Sequence, residues 1–344
     1  MGLKVIKAGP LDTLQDLGRI GYSAQGLREC GACDKYALQL ANILAGNPRD
    51  LAALEVTFLG GSYLFEEDAM FALAGADMEP ALDGEQVLMY GPVFARAGQV
   101  LTLRAAKTGV RSYLAIHGGF EVKKELGSRS TDVRCRIGGF CGRALQAGDC
   151  LWAGGQNVAF VKALRKVALS GGRIRPGLRW EDMAWLAWPG TPAVSLDGRL
   201  VPLLRAVPGP QEERFTEAAR AAFVSGFYSL QPDSDRMAAR LSGNALEPKE
   251  SVDIISDGIV EGSVQVSAGG QPMVMLADHQ TTGGYAKIAT VIWADIPALA
   301  QRRPGEQVAF RYVSVKEAAE AVRQQKKKLD WIEENCRRAY ALRR

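Results

Sequence analysis

Short apolar runs separated by turn residues dominate the chain. The runs are rich in Val, Leu, Phe and Tyr, and Gly, Asp or Pro stand between them. Four of them are Leu54 to Leu59, Tyr63 to Phe65, Val100 to Leu103 and Tyr113 to His117. This rhythm is typical of antiparallel strands. The pattern therefore predicts a mainly β fold with peripheral helices, a β-barrel or a sandwich, with hairpin turns at Asp83-Gly84 and Gly269-Gly270, where glycine supplies a positive φ.

Helical spacing occurs in four places. Asp34 precedes an apolar stripe formed by Ala37, Leu40, Ala41 and Leu44, and Gly46 follows it, which predicts an early helix that packs on the first barrel. Two further helices are expected from about 216 to 224 and after Asp295. From Ser314 a capping-box spacing opens a long C-terminal helix.

Domain boundaries follow from changes in composition. Residues 154–200 are irregular, with paired glycines and three prolines, and we interpret them as a crossover. The predicted organisation is a first domain at 1–153, the crossover, a second domain at 201–313 and the helix at 314–344.

Charge and composition exclude several classes of protein. The 344 residues include 42 basic and 38 acidic side chains, and a net charge of +4 gives no reason to expect nucleic acid. We expect neither a signal peptide nor a membrane span, and therefore a cytoplasmic protein whose six cysteines stay reduced. Lys326-Lys327-Lys328 and Arg343-Arg344 are interpreted as a solvated face.

Four segments are denser in polar residues and turn glycines than a barrel strand requires. They are 15–19 (Gln-Asp-Leu-Gly-Arg), 126–132 (Leu-Gly-Ser-Arg-Ser-Thr-Asp), 234–237 (Ser-Asp-Arg-Met) and 278–285 (Asp-His-Gln-Thr-Thr-Gly-Gly-Tyr). Together with 138–149 and with Pro208-Gly209-Pro210-Gln211, they make the chain resemble a family with several names: the C-type subunit of 5-oxoprolinase, allophanate hydrolase subunit 2 and the urea carboxylase carboxyltransferase domain. The resemblance extends from Ala8 to about Ala318.

The resemblance implies two cyclophilin-like β-barrel domains with a substrate cleft between them. It implies a subunit of an ATP-dependent 5-oxoprolinase, which converts 5-oxoproline to glutamate, and which we expect to be inactive alone. The expected partners are a B-type 5-oxoprolinase subunit, similar to allophanate hydrolase subunit 1, and an A-type one. The alternatives are a carboxyltransferase component of a biotin-dependent urea or amide carboxylase, and a regulatory antagonist of a kinase inhibitor protein.

Urea and 5-oxoproline share a resonance-stabilised N–C=O group whose oxygen must be polarised before reaction, and Arg and hydroxyl donors suit that task. Arg129, Asp278 and Gln280 are the candidate catalytic residues. In the first domain we expect Asp132 to orient Arg129. In the second, the polar cluster precedes Gly283-Gly284, which is expected to form a turn that lets the backbone approach a ligand. The candidate substrate-binding residues are Ser128, Ser130, Thr131, Thr281, Thr282, Asp235, Arg236, Asp16 and Arg19.

Structural alternatives accompany these hypotheses. The 128–132 segment could only cap backbone groups, and 280–284 could only connect a hairpin. Asp235 and Arg236 are equally compatible with a structural ion pair. Asp16 and Arg19 are expected mainly to hold a loop in place, with a catalytic role as the second choice. His117 is expected to be a satisfied core histidine, whereas His279 could act as a general acid or base.

The sequence predicts no metal site and no cofactor bound by this chain. A redox or metal role for the Cys30-Gly31-Ala32-Cys33 segment is disfavoured because no second such pair and no nearby histidine accompany it. No phosphate-binding G-x-x-x-x-G-K-[ST] loop and no Met-Lys-Met biotin-attachment segment occur. ATP is therefore expected on a partner subunit, or biotin on another chain.

Overall fold

The computed structural model describes residues 2–155, 161–162, 187 and 189–341. Most of the predicted crossover at 154–200 lies outside the described residues. The chain divides into two compact units. Unit 1 comprises Met1–Arg19, Asp34–Trp188 and Lys327–Arg344, and unit 2 comprises Ile20–Cys33 and Pro189–Lys326. The described residues form a mainly β protein with few helices, as the apolar pattern predicts.

Unit 1 is built from two antiparallel sheets that share one apolar core. Its strands are β1 (Gly2–Lys7), β2 (Asp12–Gln15), β3 (Ala53–Thr57), β4 (Ser62–Phe65), β5 (Ala69–Asp77), β6 (Ala81–Leu82), β7 (Glu85–Gln86), β8 (Pro92–Ala95), β9 (Val100–Thr102), β10 (Thr108–Ile116) and β11 (Cys150–Trp152). The strand orders are β11-β1-β4-β9-β6-β7 and β2-β3-β10-β5-β8. Alternate residues such as Leu54 and Val56 of one sheet, and Val5 and Tyr63 of the other, enter the common core.

Helix α1 (Lys35–Leu44) packs on β5 and β10, as expected. Asp34 is its N-cap, because the carboxylate accepts a hydrogen bond from the Ala37 N–H at 2.8 Å. Gly46 follows the helix with φ of 71°. Beside this end, the His117 Nδ1 bonds the Ala45 carbonyl oxygen at 2.8 Å, which confirms a core histidine. Burial lowers the pKa of His117.

Unit 2 contains a closed seven-stranded barrel. Its strands are β12 (Ala193–Leu196), β13 (Arg199–Pro208), β14 (Phe227–Leu230), β15 (Ala238–Ser242), β16 (Asp253–Gly258), β17 (Ser263–Val266), β18 (Pro272–Met275), β19 (Thr282–Tyr285), β20 (Lys287–Val291) and β21 (Gln307–Tyr312). The order β13-β20-β17-β18-β15-β14-β21 closes through a parallel pairing of β13 with β21, with Leu203 opposite Ala309. β12 extends the barrel as a hairpin partner of β13. β16 and β19 form a separate two-stranded ribbon.

The helices of unit 2 confirm two further predictions. Helix α2 (Glu217–Ser225) is capped by Thr216, and helix α3 (Ile296–Ala300) follows Asp295 with Pro297 in its first turn. Phe223 of α2 stacks on Phe310 of β21 inside the barrel, with ring centroids 4.5 Å apart. The helix therefore contributes side chains to the barrel core.

Both predicted hairpins are present. Asp83 and Gly84 connect β6 to β7 with φ of 50° and 85°, the backbone that a two-residue turn of this kind needs. Between β17 and β18 the loop is longer, and Gly270 alone of the glycine pair has a positive φ, 74°. The longer loop spans 267–271, where the Ser267 N–H bonds the Gln271 carbonyl.

The C-terminal helix α4 (Val315–Ala341) begins at the predicted capping box. The Ser314 N–H donates to the Glu317 carboxylate at 2.8 Å, and the Glu317 N–H donates to the Ser314 hydroxyl at 3.2 Å. Within unit 2, Ala321 of α4 joins an apolar cluster with Ile292 and Val313. None of the helices within the described ranges is long and apolar enough to cross a membrane.

The part of α4 in unit 1 is tied down by polar contacts. Arg49 pairs with Asp330 at 2.8 Å and with Glu333 at 2.5 Å, and the Tyr340 hydroxyl donates to the Leu44 carbonyl at 2.5 Å. This part of the helix is thereby attached to α1 and to the turn that follows it.

Lys328 departs from the predicted solvated face. Lys326 and Lys327 are exposed, but Lys328 is half-buried, with its ammonium 5.4 Å from the centroid of the Tyr36 ring. Burial lowers the pKa of Lys328 from 10.5 to about 8. Arg343 and Arg344 lie outside the described residues.

The lowered pKa of Lys328 predicts a pH-dependent contribution to stability. Between pH 8 and the ordinary lysine value, the unfolded chain binds more protons at this position than the native chain does. The free energy of unfolding contributed by Lys328 therefore rises across that interval as pH increases. We expect Lys328→Met to remove this rise, as measured by urea unfolding midpoints between pH 7 and pH 10. Exposed Lys327→Met is the control, and parallel profiles for wild type and Lys328→Met would contradict the assignment.

Candidate functional site

The carboxylate of Asp16 organises the 128–131 loop of unit 1. Asp16 follows β2 and is 7% exposed. Oδ1 accepts hydrogen bonds from the Ser128 and Ser130 hydroxyls at 2.7 and 2.5 Å and from the Gly18 N–H at 2.9 Å. Oδ2 accepts from the Arg129 N–H at 2.6 Å. Four donors to one buried carboxylate satisfy its charge without a cation.

Arg19 holds the same loop from the other side. Its side chain is 1% exposed and donates to two carbonyl oxygens, those of Glu125 at 3.2 Å and Ser130 at 2.9 Å. A Cβ on Gly138, where φ is 68°, would lie 2.8 Å from the Arg19 Nη2 and 2.3 Å from the Ser130 carbonyl oxygen. Glycine is therefore required there by both backbone conformation and space. The Thr131 hydroxyl is also used within the protein, because it donates to the Leu14 carbonyl at 2.9 Å.

Arg129 differs from its neighbours because most of its guanidinium is unengaged. The side chain is half-buried, and its Nε donates to the Val122 carbonyl oxygen at 3.0 Å. Neither Nη atom has a partner among the described residues. The expectation that Asp132 orients Arg129 is wrong. The Asp132 carboxylate accepts from the N–H groups of Arg134 and Cys135 at 3.0 and 2.9 Å, and a main-chain carbonyl anchors Arg129.

In unit 2, Arg236 and Asp278 form a bidentate salt bridge. The Nε and Nη2 of Arg236 donate to the two carboxylate oxygens of Asp278, each at 2.9 Å, and Arg236 is 6% exposed. Arg236 Nη2 also donates to the Gly31 carbonyl at 2.6 Å, and Arg28 donates to the Asp278 carbonyl at 3.3 Å. This two-pronged geometry fixes the turn that precedes Gln280.

Asp235 does not supply the carboxylate partner of Arg236. Its Oδ1 accepts from the N–H groups of Met237 and Ala238 at 2.8 and 3.0 Å, which is a local turn. The ion pair between Asp235 and Arg236 that the sequence allowed is therefore wrong, because Arg236 pairs with Asp278, 42 residues along the chain.

The segment after Asp278 leaves Gln280 exposed. The buried His279 ring bonds the Gln280 carbonyl oxygen through Nδ1 at 2.7 Å, and the Ile259 N–H donates to the Thr281 carbonyl at 3.0 Å. The Gln280 amide has no hydrogen-bond partner among the described residues, and the side chain is exposed. Thr281 is half-buried and Thr282 is exposed.

The predicted Gly283-Gly284 turn is wrong, because both glycines lie inside β19. β19 pairs with β16 in a separate ribbon. Residues 280–284 therefore do not form the connection of a hairpin either. Gly283 serves instead for close packing, since a Cβ there would meet three side-chain atoms within 3 Å.

Gln265 is a polar residue of this region that the sequence did not single out. It lies on β17, is 2% exposed, and its Nε2 donates to the Tyr285 carbonyl at 3.3 Å. Val264 and Val266 point into the barrel core, so Gln265 points out of the barrel. The strand reads Ser-Val-Gln-Val, so Gln265 looks like an ordinary outward-facing polar residue and the sequence carries no signal that singles it out.

Cys30 and Cys33 behave as small buried residues. Both are fully buried free thiols, and Cys33 packs with Ala277 and Ala300. Within the described ranges, no group of three or more His, Cys, Asp or Glu side chains could hold a metal ion.

Comparison with known proteins identifies a family for most of the chain. Residues 25–312 match the family described as carboxyltransferase domain, subdomain A and B. The chain is 39% identical over 320 residues to the C-type 5-oxoprolinase subunit of Haemophilus influenzae, covering 93% of this chain and 94% of that protein. It is 37% identical to the C-type 5-oxoprolinase subunit of Escherichia coli, covering 94% and 96%.

A solved structure shows the same fold at lower identity. The urea amidolyase of K. lactis superposes with a TM-score of 0.80 at 24% identity over 96% of this chain, which spans 20% of that much longer protein. The extent of the family match and the identity to two relatives along nearly their full length show that the chain belongs to the carboxyltransferase domain A and B family, which includes the C-type subunit of 5-oxoprolinase.

Proposed function

We propose that this chain is a subunit of an ATP-dependent 5-oxoprolinase, in which it acts with partner subunits on a small lactam. The observation that carries the proposal is the identity of 39% and 37% to two C-type 5-oxoprolinase subunits, along 94% and 96% of their lengths. The relatives named urea amidolyase and urea carboxylase are 26 to 27% identical. The carboxyltransferase alternative is therefore the less supported of the two.

The geometry of the 128–131 loop supports a division of roles within unit 1. Asp16, Arg19, Ser128, Ser130 and Thr131 use their polar atoms to hold the backbone. Arg129 keeps both Nη groups without a partner among the described residues, while its Nε bond to the Val122 carbonyl holds the guanidinium in place. A planar donor of this kind suits a substrate carboxylate or the oxygen of a lactam whose carbonyl is being attacked.

ATP belongs to a partner subunit in this proposal. The sequence lacks a P-loop, so the B-type and A-type partners would contribute the phosphate chemistry. This chain would contribute substrate-binding side chains and no cofactor. A cytoplasmic location is part of the proposal, and the absence of disulfides among the six cysteines is compatible with it.

The proposal predicts that activity appears only on assembly. The purified chain should neither hydrolyse ATP nor open 5-oxoproline. Addition of the A-type and B-type partners should give 5-oxoproline-dependent ATP turnover, measured as phosphate and glutamate released in equal amounts. Turnover by the isolated chain would refute the dependence on partners. An assembly that carboxylates urea with a biotin-bearing partner and leaves 5-oxoproline unchanged would establish the carboxyltransferase alternative.

Arg129→Ala should lower kcat of the assembled complex about a hundredfold, because loss of one donor to a developing oxyanion typically costs about 3 kcal/mol. Melting temperature should stay near that of wild type, since only the bond to Val122 is lost. Arg129→Lys keeps the charge without the planar fork and should restore little of the rate. Exposed Arg134→Ala in the following turn is the matched control and should be silent. Normal turnover with Arg129→Ala would remove this residue from the site.

Asp16→Asn should lower the stability of the fold. An amide keeps one acceptor but directs an NH2 group at the donors that the carboxylate satisfied, so we expect the free energy of unfolding to fall by about 3 kcal/mol. Denaturant unfolding measures this loss directly. Asp50→Asn, at an exposed position of the same unit, should change stability by less than about 0.5 kcal/mol. Equal stability of the two variants would show that the Asp16 network does not hold the loop.

A further inference from the structure

Two side-chain amides of unit 2 converge over Gly283. A methyl group at Gly283 would lie 2.8 Å from the Gln265 Nε2 and 2.9 Å from the Gln280 Nε2. The two nitrogens are therefore separated by at most 5.7 Å, the sum of these distances. Gln265 approaches from β17 of the barrel, and Gln280 approaches from the segment before β19. One amide is buried and the other is exposed, so the pair has a solvent-facing side.

The hydrogen-bonding capacity of this pair is largely unused. The Gln280 amide has no partner among the described residues, neither for its nitrogen nor for its oxygen. Gln265 makes one long bond, from Nε2 to the Tyr285 carbonyl at 3.3 Å, and its Oε1 accepts none from the described chain. Buried amides in proteins usually satisfy both ends. The Gln265 Oε1, which accepts no bond from the described chain, and the adjacent Gln280 amide together indicate a site for an outside donor and acceptor.

The backbone around the pair is rigidly held. His279 bonds the Gln280 carbonyl, and the Arg236–Asp278 pair fixes the preceding turn. The ribbon that carries Gly283 is attached to the barrel by Lys287, whose ammonium is 2.8 Å from the Asp257 carboxylate, and Asp257 lies opposite Gly283 in the ribbon. A backbone held in this way needs little further ordering when a small ligand binds.

From this geometry we infer that the Gln265–Gln280 pair recognises the cis edge of a lactam ring, where N–H and C=O lie side by side. The inference rests on the proposed function and specifies how the substrate is selected. Gln280 Nε2 donates to the lactam oxygen, and Gln280 Oε1 accepts from the lactam N–H, as side-chain amides pair with a donor–acceptor edge of a base. Gln265 is a positioning residue, which borders Gln280 over the glycine and limits the orientations of its amide.

The experiment uses the assembled complex without ATP and measures dissociation constants by ligand-observed NMR. The two probes are 5-oxoproline and the corresponding lactone, 5-oxotetrahydrofuran-2-carboxylate, which has ring oxygen in place of N–H. A site built around an N–H donor rejects an analogue that lacks it, so wild type should bind the lactam at least about 100-fold more tightly. Gln280→Met and Gln265→Met should each reduce that ratio to below about tenfold, a change that a purely structural role would not produce.

A pair of glycine variants separates the amides from the backbone. Gly283→Ala places a methyl group against the ends of three flexible side chains, the two glutamines and Ile259, so it should displace the amides and weaken lactam binding about tenfold or more. Gly284→Ala meets only the Ile254 carbonyl oxygen at 3.5 Å, an ordinary contact, and should leave both dissociation constants unchanged. Neither glycine has a positive φ, so alanine is compatible with both.

The outcomes are distinct. Equal effects of the two glycine variants, an unchanged lactam-to-lactone ratio in Gln280→Met, or no lactam binding by wild type would each overturn the amide-pair inference. If the lactam binds with the expected preference but the complex does not open it when ATP is added, the proposed function fails and the recognition of the cis edge stands. If the complex opens the ring but the glutamine variants bind the lactam like wild type, the proposed function stands and the amide-pair inference fails.

Discussion

The buried carboxylate of Asp16 is the constraint on which the polar part of unit 1 depends. A charge at 7% exposure is costly unless donors surround it, and here the donors are two hydroxyls and two main-chain N–H groups, three of them from residues 128 to 130. Hydrogen bonds to a charged group contribute about 1.5 to 3 kcal/mol each. The loop can therefore adopt a conformation with little regular structure and still be well defined.

Unit 2 solves a similar problem with a pair of opposite charges. Arg236 and Asp278 neutralise each other through two parallel hydrogen bonds, and the neighbouring Gln280 is left with nothing to bind. In each unit a dense polar network is thus used to hold the main chain, and an adjacent side chain remains available. Arg129 and Gln280 are those residues, and they are chemically different: one is a permanent cation and the other a neutral donor and acceptor. A planar cation suits a carboxylate, whereas a neutral amide suits another amide.

Local signals explain which features the sequence predicts. The caps at Asp34 and Ser314, the Asp83-Gly84 turn and the alternating strands are each encoded within a few residues, so their structures follow from short-range rules. The family resemblance added the expected cyclophilin-like domains and the functional interpretation of the polar segments. Hydrogen-bond and packing partners that are distant along the chain could not be predicted from such local signals. The carboxylate that meets Arg236 is 42 residues distant, the carbonyl that anchors Arg129 belongs to Val122, and Gln265 is recognisable only once Gly283 lies beside it. The prediction of a turn at Gly283-Gly284 was wrong because glycine permits a turn and also permits close packing inside a strand.

The parallel pairing of β13 with β21 has a consequence for the order of folding. Leu203 and Ala309 are neighbours in the barrel, but roughly 100 residues separate them along the chain, so this contact requires closure of a long loop. During synthesis the ribosome must release the segment up to Tyr312 before the barrel has its last strand. Until then β13 and β14 each present an open edge to the surrounding solution. The barrel of unit 2 therefore closes late, and residues 199 to 312 carry open strand edges in the nascent polypeptide until the last strand arrives.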